Sequence, residues 1–235
     1  MTATKARTPL PPAEHKADAV EAMFDRIAPR YDRLNRILTF RLDVGWRRAT
    51  VAALGLPRGS RVVDVACGTG DFCDDLTTAG YAPIGVDFSA GMLAAARGRD
   101  VGMLVRGDAL GLPFRDASVD AVTCGFALRN FVSLDAFFAA CARVVRPGGR
   151  VAFVDVAEPE HAALRAGHRW YFRHAVPAIG GLLSDRAAYA YLPASTVYLP
   201  EPAVMCEMLR SHGFVDVERT LLRLGAAQRL TGTRA

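Results

Sequence analysis

The stretch RVVDVACGTG, residues 61–70, decides the fold. Its first six residues are rich in β-branched side chains, which predicts a short buried strand. Gly68 and Gly70 follow at once and predict a tight turn, because glycine adopts backbone angles that other residues avoid. Apolar residues then recur at helical spacing from Phe72 to Ala79. A strand, a tight turn and a helix in this order begin an α/β unit.

The same alternation of strand and helix continues downstream. Regular alternation predicts an α/β fold with a mostly parallel, seven-stranded sheet and helices on both faces. Apolar periodicity also predicts two helices before the first strand, over residues 17–27 and 43–54. Pro147 to Gly149 are expected to turn the chain into the fifth strand. Further strands are predicted over 82–86, 103–105, 119–124, 150–156, 215–222 and 226–233, and further helices over 89–97, 134–145 and 201–212.

Length and local composition predict the domain organisation. Residues 1–14 are rich in Pro, Ala and Thr and are expected to form a disordered tail. Residues 15–235 are expected to form one domain, since a chain of 235 residues is short for two. Within it, residues 158–200 interrupt the strand–helix rhythm with aromatics, prolines and glycines. This helical insertion is predicted to be either a substrate lid or a dimer element.

Composition narrows the class of protein. With 51% hydrophobic and 23% charged residues, the chain has the usage of a globular protein. The net charge of +5 comes from dispersed arginines rather than from runs, so no nucleic-acid partner is expected. No apolar window reaches the roughly 20 residues of a membrane span, and no signal peptide is recognised. The five scattered cysteines fit reduced thiols in the cytoplasm, and no metal site is expected.

A ligand site is predicted where consecutive strands end, because parallel strands present their carboxyl ends at one edge of a sheet. Gly68 and Gly70 let the backbone approach a ligand, and the helix that follows offers free N–H groups to a carboxylate. Asp87 ends the second strand and can accept hydrogen bonds from ribose hydroxyls. Asp108 and Ala109 come after the third and can bind an adenine ring.

These positions together resemble S-adenosylmethionine (SAM) methyltransferases and imply their class I, Rossmann-like fold. A dinucleotide-binding fingerprint would need a third glycine, but position 73 is Cys. Asp64 is interpreted mainly as a buried carboxylate that accepts hydrogen bonds from N–H groups of the loop, with ligand contact secondary. The residues expected to bind SAM are Tyr31, Asp64, Gly68, Thr69, Gly70, Asp87, Phe88, Met92, Asp108, Ala109 and Gly125.

More specific segments resemble the menaquinone and ubiquinone C-methyltransferase family of the UbiE type. The likeness covers most of residues 20–200. Its opening signature, Met-Phe-Asp-x-Ile-Ala-x-x-Tyr-Asp-x-x-Asn, is matched from Met23 to Asn35 and is followed by Asp43 and Trp46. Other matching segments are Gly125 to Asn130 (with Ala127 where the family has glycine), Arg143 to Gly149, and Tyr189 to Ser195.

The resemblance implies methylation of a ring carbon of a reduced, prenylated quinone, demethylmenaquinol to menaquinol. Arg129 is then expected to stabilise the developing oxyanion, and Asn130 to orient the substrate hydroxyl or a water that takes its proton. Tyr31 is expected to close over SAM or the quinol ring. The plainer alternatives are that Arg129 pairs with a carboxylate, that Asn130 bonds local backbone, and that Tyr31 merely packs. Asp155 is a further candidate base or the cap of the following turn.

Two departures from the family pattern keep other functions open. The family usually reads Glu-Phe-Ser after the fifth strand, whereas this chain reads Asp-Val-Ala at residues 155–157, and residues 225–228 also differ. The alternatives are a secondary-metabolite methyltransferase acting on carbon or oxygen of another phenol, and a SAM-binding regulator without catalysis.

A lipid substrate also implies contact with a membrane. The aromatic residues from Trp170 to Tyr198 can line a tunnel for a prenyl tail. Peripheral membrane contact is expected through basic residues facing acidic headgroups, while a homodimer interface is the alternative use of the same apolar segment. The basic residues are Arg165, Arg169, Arg173 and Arg186.

Overall fold

The central sheet has seven strands and the predicted α/β architecture. The computed structural model describes residues 15–99 and 101–235, so the predicted tail, residues 1–14, lies outside the described residues. The strand order is β3-β2-β1-β4-β5-β7-β6, and among the described strands only β7 runs antiparallel to its neighbours. The strands are β1 (Arg61–Val65), β2 (Ala82–Asp87), β3 (Met103–Arg106), β4 (Val119–Gly125), β5 (Val145–Val156), β6 (Phe214–Leu222) and β7 (Ala227–Arg234).

Ten described α-helices surround this sheet. Ser89 and Ser133 cap two of them, because each hydroxyl accepts a hydrogen bond from a backbone N–H in the first turn. The helices are α1 (Lys16–Ile27), α2 (Tyr31–Leu38), α3 (Leu42–Ala52), α4 (Asp71–Thr78), α5 (Ala90–Ala96), α6 (Leu134–Val144), α7 (Ala162–Trp170), α8 (Val176–Leu183), α9 (Arg186–Ala194) and α10 (Pro202–Ser211).

Alternate residues of the central strands face two separate cores. In β5, Val151 and Phe153 pack with residues of α6 and α10, whereas Ala152 and Val154 pack with residues of α3 and α4 on the opposite face. This period of two is what a parallel strand covered by helices on both faces requires. The layering confirms the predicted class I methyltransferase fold.

Two local expectations were wrong. Helix α2 was not predicted, because it is only eight residues long and a pattern of that length is too short to be separated from the helix before it. The turn at Pro147 to Gly149 does not precede the fifth strand but lies within it. Val145 already pairs with Val119, and a register shift follows before Arg150 pairs with Ala121. An irregularity in β5 thus accommodates residues that would otherwise end a strand.

The insertion after β5 is helical, as predicted. A short π-helical turn, Tyr171–Ala175, joins α7 to α8, and a 3₁₀ turn, Ser195–Tyr198, follows α9. Helix α7 rests loosely on the molecule, since none of its residues, all of them described, is buried. Helices α8 and α9 pack tightly, because a Cβ atom on Gly180 would lie 2.1 Å from Cγ of Tyr189.

Candidate active site

A cavity of about 510 Å³ opens at the carboxyl ends of β1, β2 and β4, where the sequence predicts the ligand. This volume is typical of sites for small molecules. All the predicted catalytic residues and all but one of the predicted cofactor residues line it. The exception is Gly70, although Thr69 and Asp71 on either side of it do line the cavity.

Glycine is required for different structural reasons at the two positions of the loop after β1, Gly68 and Gly70. Both have positive φ angles. A Cβ atom on Gly68 would meet only the Met92 sulfur, at 4.0 Å, so the loop is open towards the cavity there. A Cβ atom on Gly70 would lie 2.7 Å from Cγ1 of Val101, so Gly70 permits the packing of the loop against the protein. Gly68 therefore leaves the loop open to the cavity, whereas Gly70 permits the loop to pack.

Asp87 occupies the tip of β2 in a fixed orientation. Its carboxylate accepts hydrogen bonds from the Gly68 amide at 2.7 Å and the Ser89 amide at 2.8 Å. Burial raises its pKa, and the backbone hydrogen bonds oppose that rise. Asp108 lies two residues beyond the end of β3 and accepts a hydrogen bond from the Leu110 amide at 2.9 Å. Two oriented carboxylates beside an open glycine loop fit the ribose and adenine of SAM.

Asp64 is buried, as expected, but its expected partners were wrong. Its Oδ1 atom accepts a hydrogen bond from the Thr123 hydroxyl at 2.8 Å, and the Cys73 thiol lies 3.9 Å from Oδ2. Among the N–H groups of the loop, that of Gly68 donates to Asp87 instead. Burial raises the pKa of Asp64 to about 8, an effect reinforced by the negative charge of Asp87. Asp64 is therefore mainly protonated at neutral pH.

Helices α1 and α2 reach the same loops from outside the sheet. Asp25 accepts hydrogen bonds from the Ser89 hydroxyl at 2.5 Å and the Gly91 amide at 2.9 Å. Asp32 accepts one from the Thr69 hydroxyl at 2.5 Å. The predicted cofactor residue Thr69 thus lines the cavity while its hydroxyl holds α2 in place.

Arg129 lies in a 3₁₀ turn, Leu128–Asn130, directly after β4. The guanidinium forms a buried ion pair with Asp155 and donates to the Ser195 hydroxyl at 3.2 Å. Its Nη1 atom also donates to the Phe126 carbonyl at 2.7 Å. Pairing with a carboxylate, the plainer alternative, is therefore present, yet Arg129 also lines the cavity. Asp155 is not in the cavity wall, which places Arg129 between it and any ligand.

The plainer alternative expected the Asn130 side chain to bond local backbone, but its described partner is a distant side chain. Its Oδ1 atom accepts a hydrogen bond from the Tyr191 hydroxyl at 3.3 Å. Asn130 also lines the cavity, beside Tyr31 at the start of α2. Burial raises the pKa of Tyr31, and the charge of Arg129 opposes that rise. The ring of Tyr31 meets Phe24 edge to face, at 5.7 Å between centroids.

The part of the cavity beyond Arg129 is largely apolar. Leu42, Leu164 and Phe172 are among the residues that line it, and two polar groups stand out. The Trp46 Nε1 atom and both ring nitrogens of His168 are buried and have no hydrogen-bond partner in the described part of the chain. Burial lowers the pKa of His168, which keeps the ring neutral at neutral pH.

Two of the arginines expected to face a membrane are engaged within the protein. Arg165 donates to the carbonyls of Pro159 and Glu160, and Arg169 pairs with Glu158 through two hydrogen bonds. Arg173 is exposed. Exposed apolar side chains of the insertion are more prominent, with Leu182 at 85% and Trp170 at 64% of full exposure.

Sequence reasoning did not identify Tyr191 as the partner of Asn130 or Ser195 as a partner of Arg129. The sequence did contain a signal for both residues, because both fall in the matching segment Tyr189 to Ser195. In the structure this segment contacts the Leu128–Asn130 turn. Trp46 lay in a matched segment as well. His168 carried no motif signal, and its place in the cavity wall follows only from the three-dimensional arrangement.

The fold and the cavity define a class I methyltransferase that uses SAM. The chain belongs to the ubiE/COQ5 methyltransferase family, whose model matches residues 13–234. It is 45% identical to a demethylmenaquinone methyltransferase of Roseiflexus sp. (strain RS-1), over 97% of this chain and 98% of that protein. It is 43% identical to one of Deinococcus radiodurans, over 94% and 95%. It is 36% identical to the ubiquinone/menaquinone biosynthesis C-methyltransferase UbiE of Geobacter sulfurreducens, over 93% and 90%.

Solved structures share the fold at low sequence identity. A SAM-dependent methyltransferase of Thermotoga maritima superimposes with a TM-score of 0.65 at 19% identity, over 91% of this chain and 99% of that chain. Phosphoethanolamine N-methyltransferase 2 of Haemonchus contortus, in complex with S-adenosyl-L-methionine, has a TM-score of 0.59 at 16% identity, over 81% and 52%.

Proposed function

We propose that this enzyme methylates a ring carbon of a prenylated quinol, converting demethylmenaquinol to menaquinol. The observation that carries the proposal is the Leu128–Asn130 turn, where Arg129 and Asn130 face one cavity shared by the glycine loop and a large apolar space. The names of the relatives in Roseiflexus and Deinococcus support this substrate.

The proposed reaction forms a bond between the ring carbon and a methyl group and releases the proton of that carbon. Bound SAM supplies the methyl group on a sulfonium, a good leaving group. The protein then has to align the acceptor and raise the electron density of its ring. Ionisation of the neighbouring hydroxyl does this, but a phenol titrates near pH 10, so the phenolate needs stabilisation at neutral pH.

Arg129 and Asn130 supply that stabilisation in the proposed mechanism. The described bonds of Arg129 use Nε and Nη1, which leaves Nη2 to donate to the phenolate oxygen. The Asn130 carbonyl oxygen is bound by Tyr191, so its amide N–H groups can orient the acceptor hydroxyl or a water. Tyr31 closes the cavity above them, and the predicted cofactor residues other than Gly70 hold SAM.

In the same proposal, residues 15–235 act as one domain and the insertion, residues 158–200, is the lid of the acceptor space. Leu164 and His168 of α7 line the cavity, while Trp170 and Leu182 point outwards. We assign these outward side chains to peripheral contact with the membrane that holds the substrate. Within residues 15–99 and 101–235, no helix is long and apolar enough to cross a membrane.

The decisive experiment incubates the purified protein with SAM and reduced demethylmenaquinone and follows the methylated product by mass spectrometry. We expect turnover, and a strong reduction in turnover for Asn130→Ala with cofactor affinity retained. Turnover of other phenols but not of this quinol would favour the secondary-metabolite alternative. Cofactor binding with no turnover of any acceptor would favour the regulator.

The membrane assignment is tested by flotation with vesicles of anionic lipid. We expect the protein to float, and replacement of Trp170 and Leu182 by serine to abolish flotation while cofactor affinity is unchanged. A stable dimer that buries these side chains, with no flotation at low salt, would assign the insertion to a subunit interface.

A further inference from the structure

Lys16 is a buried lysine outside every motif discussed above. It lies in the first turn of α1, and the residue is only 5% exposed. Lysine is almost never buried without partners, and a cation is unfavourable at a helix N-terminus. Specific contacts must therefore keep it in place.

These contacts are made with the Leu128–Asn130 turn, with the residue after it and with Tyr198. The Nζ atom donates to the Arg129 carbonyl at 3.0 Å and to the Phe131 carbonyl at 2.8 Å. It also lies 3.9 Å from the centroid of the Tyr198 ring, in a cation–π contact. The two carbonyls belong to the residues immediately before and after Asn130. One ammonium group therefore bridges the backbone on both sides of Asn130.

A bridge at this point restricts the direction of the Asn130 side chain. A backbone hydrogen bond from the Asn130 amide to the Ala127 carbonyl, at 2.8 Å, closes the start of the turn. Phe126, just before the turn, has a positive φ of 59°, a backbone conformation that a bulky residue rarely adopts. A short turn next to such a residue needs external support to hold one geometry.

The helix that carries Lys16 also contacts the cofactor region. Val20 and Phe24 of α1 line the cavity, and Asp25 binds Ser89 and the Gly91 amide after β2. Helix α1 therefore connects the loop that follows β2 with the turn that follows β4.

We propose that Lys16 is a positioning residue, which orients Arg129 and Asn130 for methyl transfer when α1 covers the cofactor. It touches neither reactant. The proposal rests on the proposed function for its kinetic readout but not for its structural one. Loss of the bridge should misplace the two side chains, and small misplacements of reacting groups lower rates by up to about a hundredfold.

The kinetic test compares Lys16→Met, which keeps the length but removes the donors, with Lys16→Arg, which keeps both charge and donors. We expect kcat to fall about tenfold or more in the first variant, with KM for the quinol and Kd for S-adenosylhomocysteine within about twofold, and to be largely restored in the second. Asp18→Ala, at an exposed position of the same helix, is the matched control and should leave kcat unchanged.

The structural test uses hydrogen–deuterium exchange and needs no substrate. We expect Lys16→Met to speed exchange in a peptide covering residues 126–132 severalfold, with exchange in α10 unchanged and with Lys16→Arg close to the wild type. Unchanged exchange in that peptide, or a kcat equal to that of the wild type, would overturn the proposal. If the wild-type protein does not methylate the quinol at all, the proposed function fails, and the exchange data still decide the role of Lys16.

Discussion

Two aspartates at neighbouring strands of the cavity have different hydrogen-bond partners, and this affects the pKa of each. Asp87 ends β2 and receives two backbone N–H groups, which favour its charged form. Asp64 lies inside β1 beside the Thr123 hydroxyl, and its pKa is raised to about 8. At Asp64 no backbone N–H group of the described residues opposes the effect of burial on the pKa, whereas at Asp87 the backbone hydrogen bonds do.

The first prediction at the residue scale concerns Asp64 and pH. A carboxyl whose pKa rises from 3.8 to about 8 on folding makes its full contribution to stability only below about pH 4. The contribution is lost progressively as the pH rises to about 8, because the unfolded chain releases the proton first. The slope from one such group is at most about 1.4 kcal/mol per pH unit. Asp64→Asn removes the titration and keeps an acceptor for Thr123. We therefore expect the wild-type free energy of unfolding to fall between about pH 6 and pH 8 relative to that of Asp64→Asn. Parallel curves from denaturant titrations would contradict this.

The second prediction concerns the charge of Asp87. Asp87→Asn keeps the size of the side chain and removes its charge, and hydrogen bonds to charged groups contribute about 1.5–3 kcal/mol. We expect S-adenosylhomocysteine to bind about 10- to 100-fold more weakly in a calorimetric titration. Asp116→Asn is the control, because Asp116 is exposed and lies just before β4, at the sheet edge away from the cavity. Equal affinities for the two variants would remove Asp87 from the cofactor site.

At the scale of elements, Gly180 decides how α8 packs on α9. Alanine normally stabilises a helix interior by up to about 1 kcal/mol relative to glycine. Here its Cβ would overlap the buried Tyr189 ring, at 2.1 Å from Cγ. We expect Gly180→Ala to destabilise the protein by about 1–3 kcal/mol or to loosen the insertion. Gly45→Ala in α3 is the matched control, since nothing lies within 4 Å of its Cβ position. Proteolysis of the insertion and thermal unfolding measure the two effects, and identical behaviour of both variants would refute the packing argument.

Elements with a long and clear apolar pattern could be predicted from the sequence, whereas short or irregular elements could not. The β-branched run of β1 and the apolar faces of α1 and α6 carry local signals that correctly locate these elements. Helix α2 also places its apolar residues on one face, but with eight residues it is too short for that pattern to stand out from the helix before it. Tertiary contacts such as the bond from Thr69 to Asp32 help to hold it in place. The early start of β5 depends on pairing with Val119, a distant residue that overrides the local effect of proline and glycine.

The strand pattern alone predicts those residues of the candidate site that follow strands directly, whereas Tyr31, Arg129 and Asn130 were predicted from the family resemblance. Gly68, Asp87 and Asp108 could be placed together because parallel strands end at one edge. The partner of Asp64 is Thr123, 59 residues away, and the partner of Arg129 at Ser195 is 66 residues away. No local spacing encodes such pairs, so the hydrogen bonds of the site follow only from the completed fold.

At the scale of the whole molecule, cofactor binding should stabilise the fold. A ligand at 100 times its Kd stabilises the native state by about 2.7 kcal/mol. For a chain of 235 residues, each kcal/mol raises Tm by about 2–4 °C. We therefore expect S-adenosylhomocysteine to raise Tm by roughly 5–10 °C in a thermal scan. NADH should have no effect, because Cys73 stands where a dinucleotide site needs glycine. An equal rise with NADH would contradict this assignment of the cavity.

The chain contains two tryptophans, and the fold places them in opposite surroundings. Trp46 is 6% exposed in the cavity wall, and Trp170 is 64% exposed at the end of α7. Their intrinsic fluorescence can therefore be separated with an aqueous quencher such as iodide, which reaches only the outer indole. Emission from the sheltered indole then reports what enters the cavity, and emission from the outer one reports what the insertion touches. An unlabelled sample can thus show in one titration whether the lipid surface or the acceptor is met first.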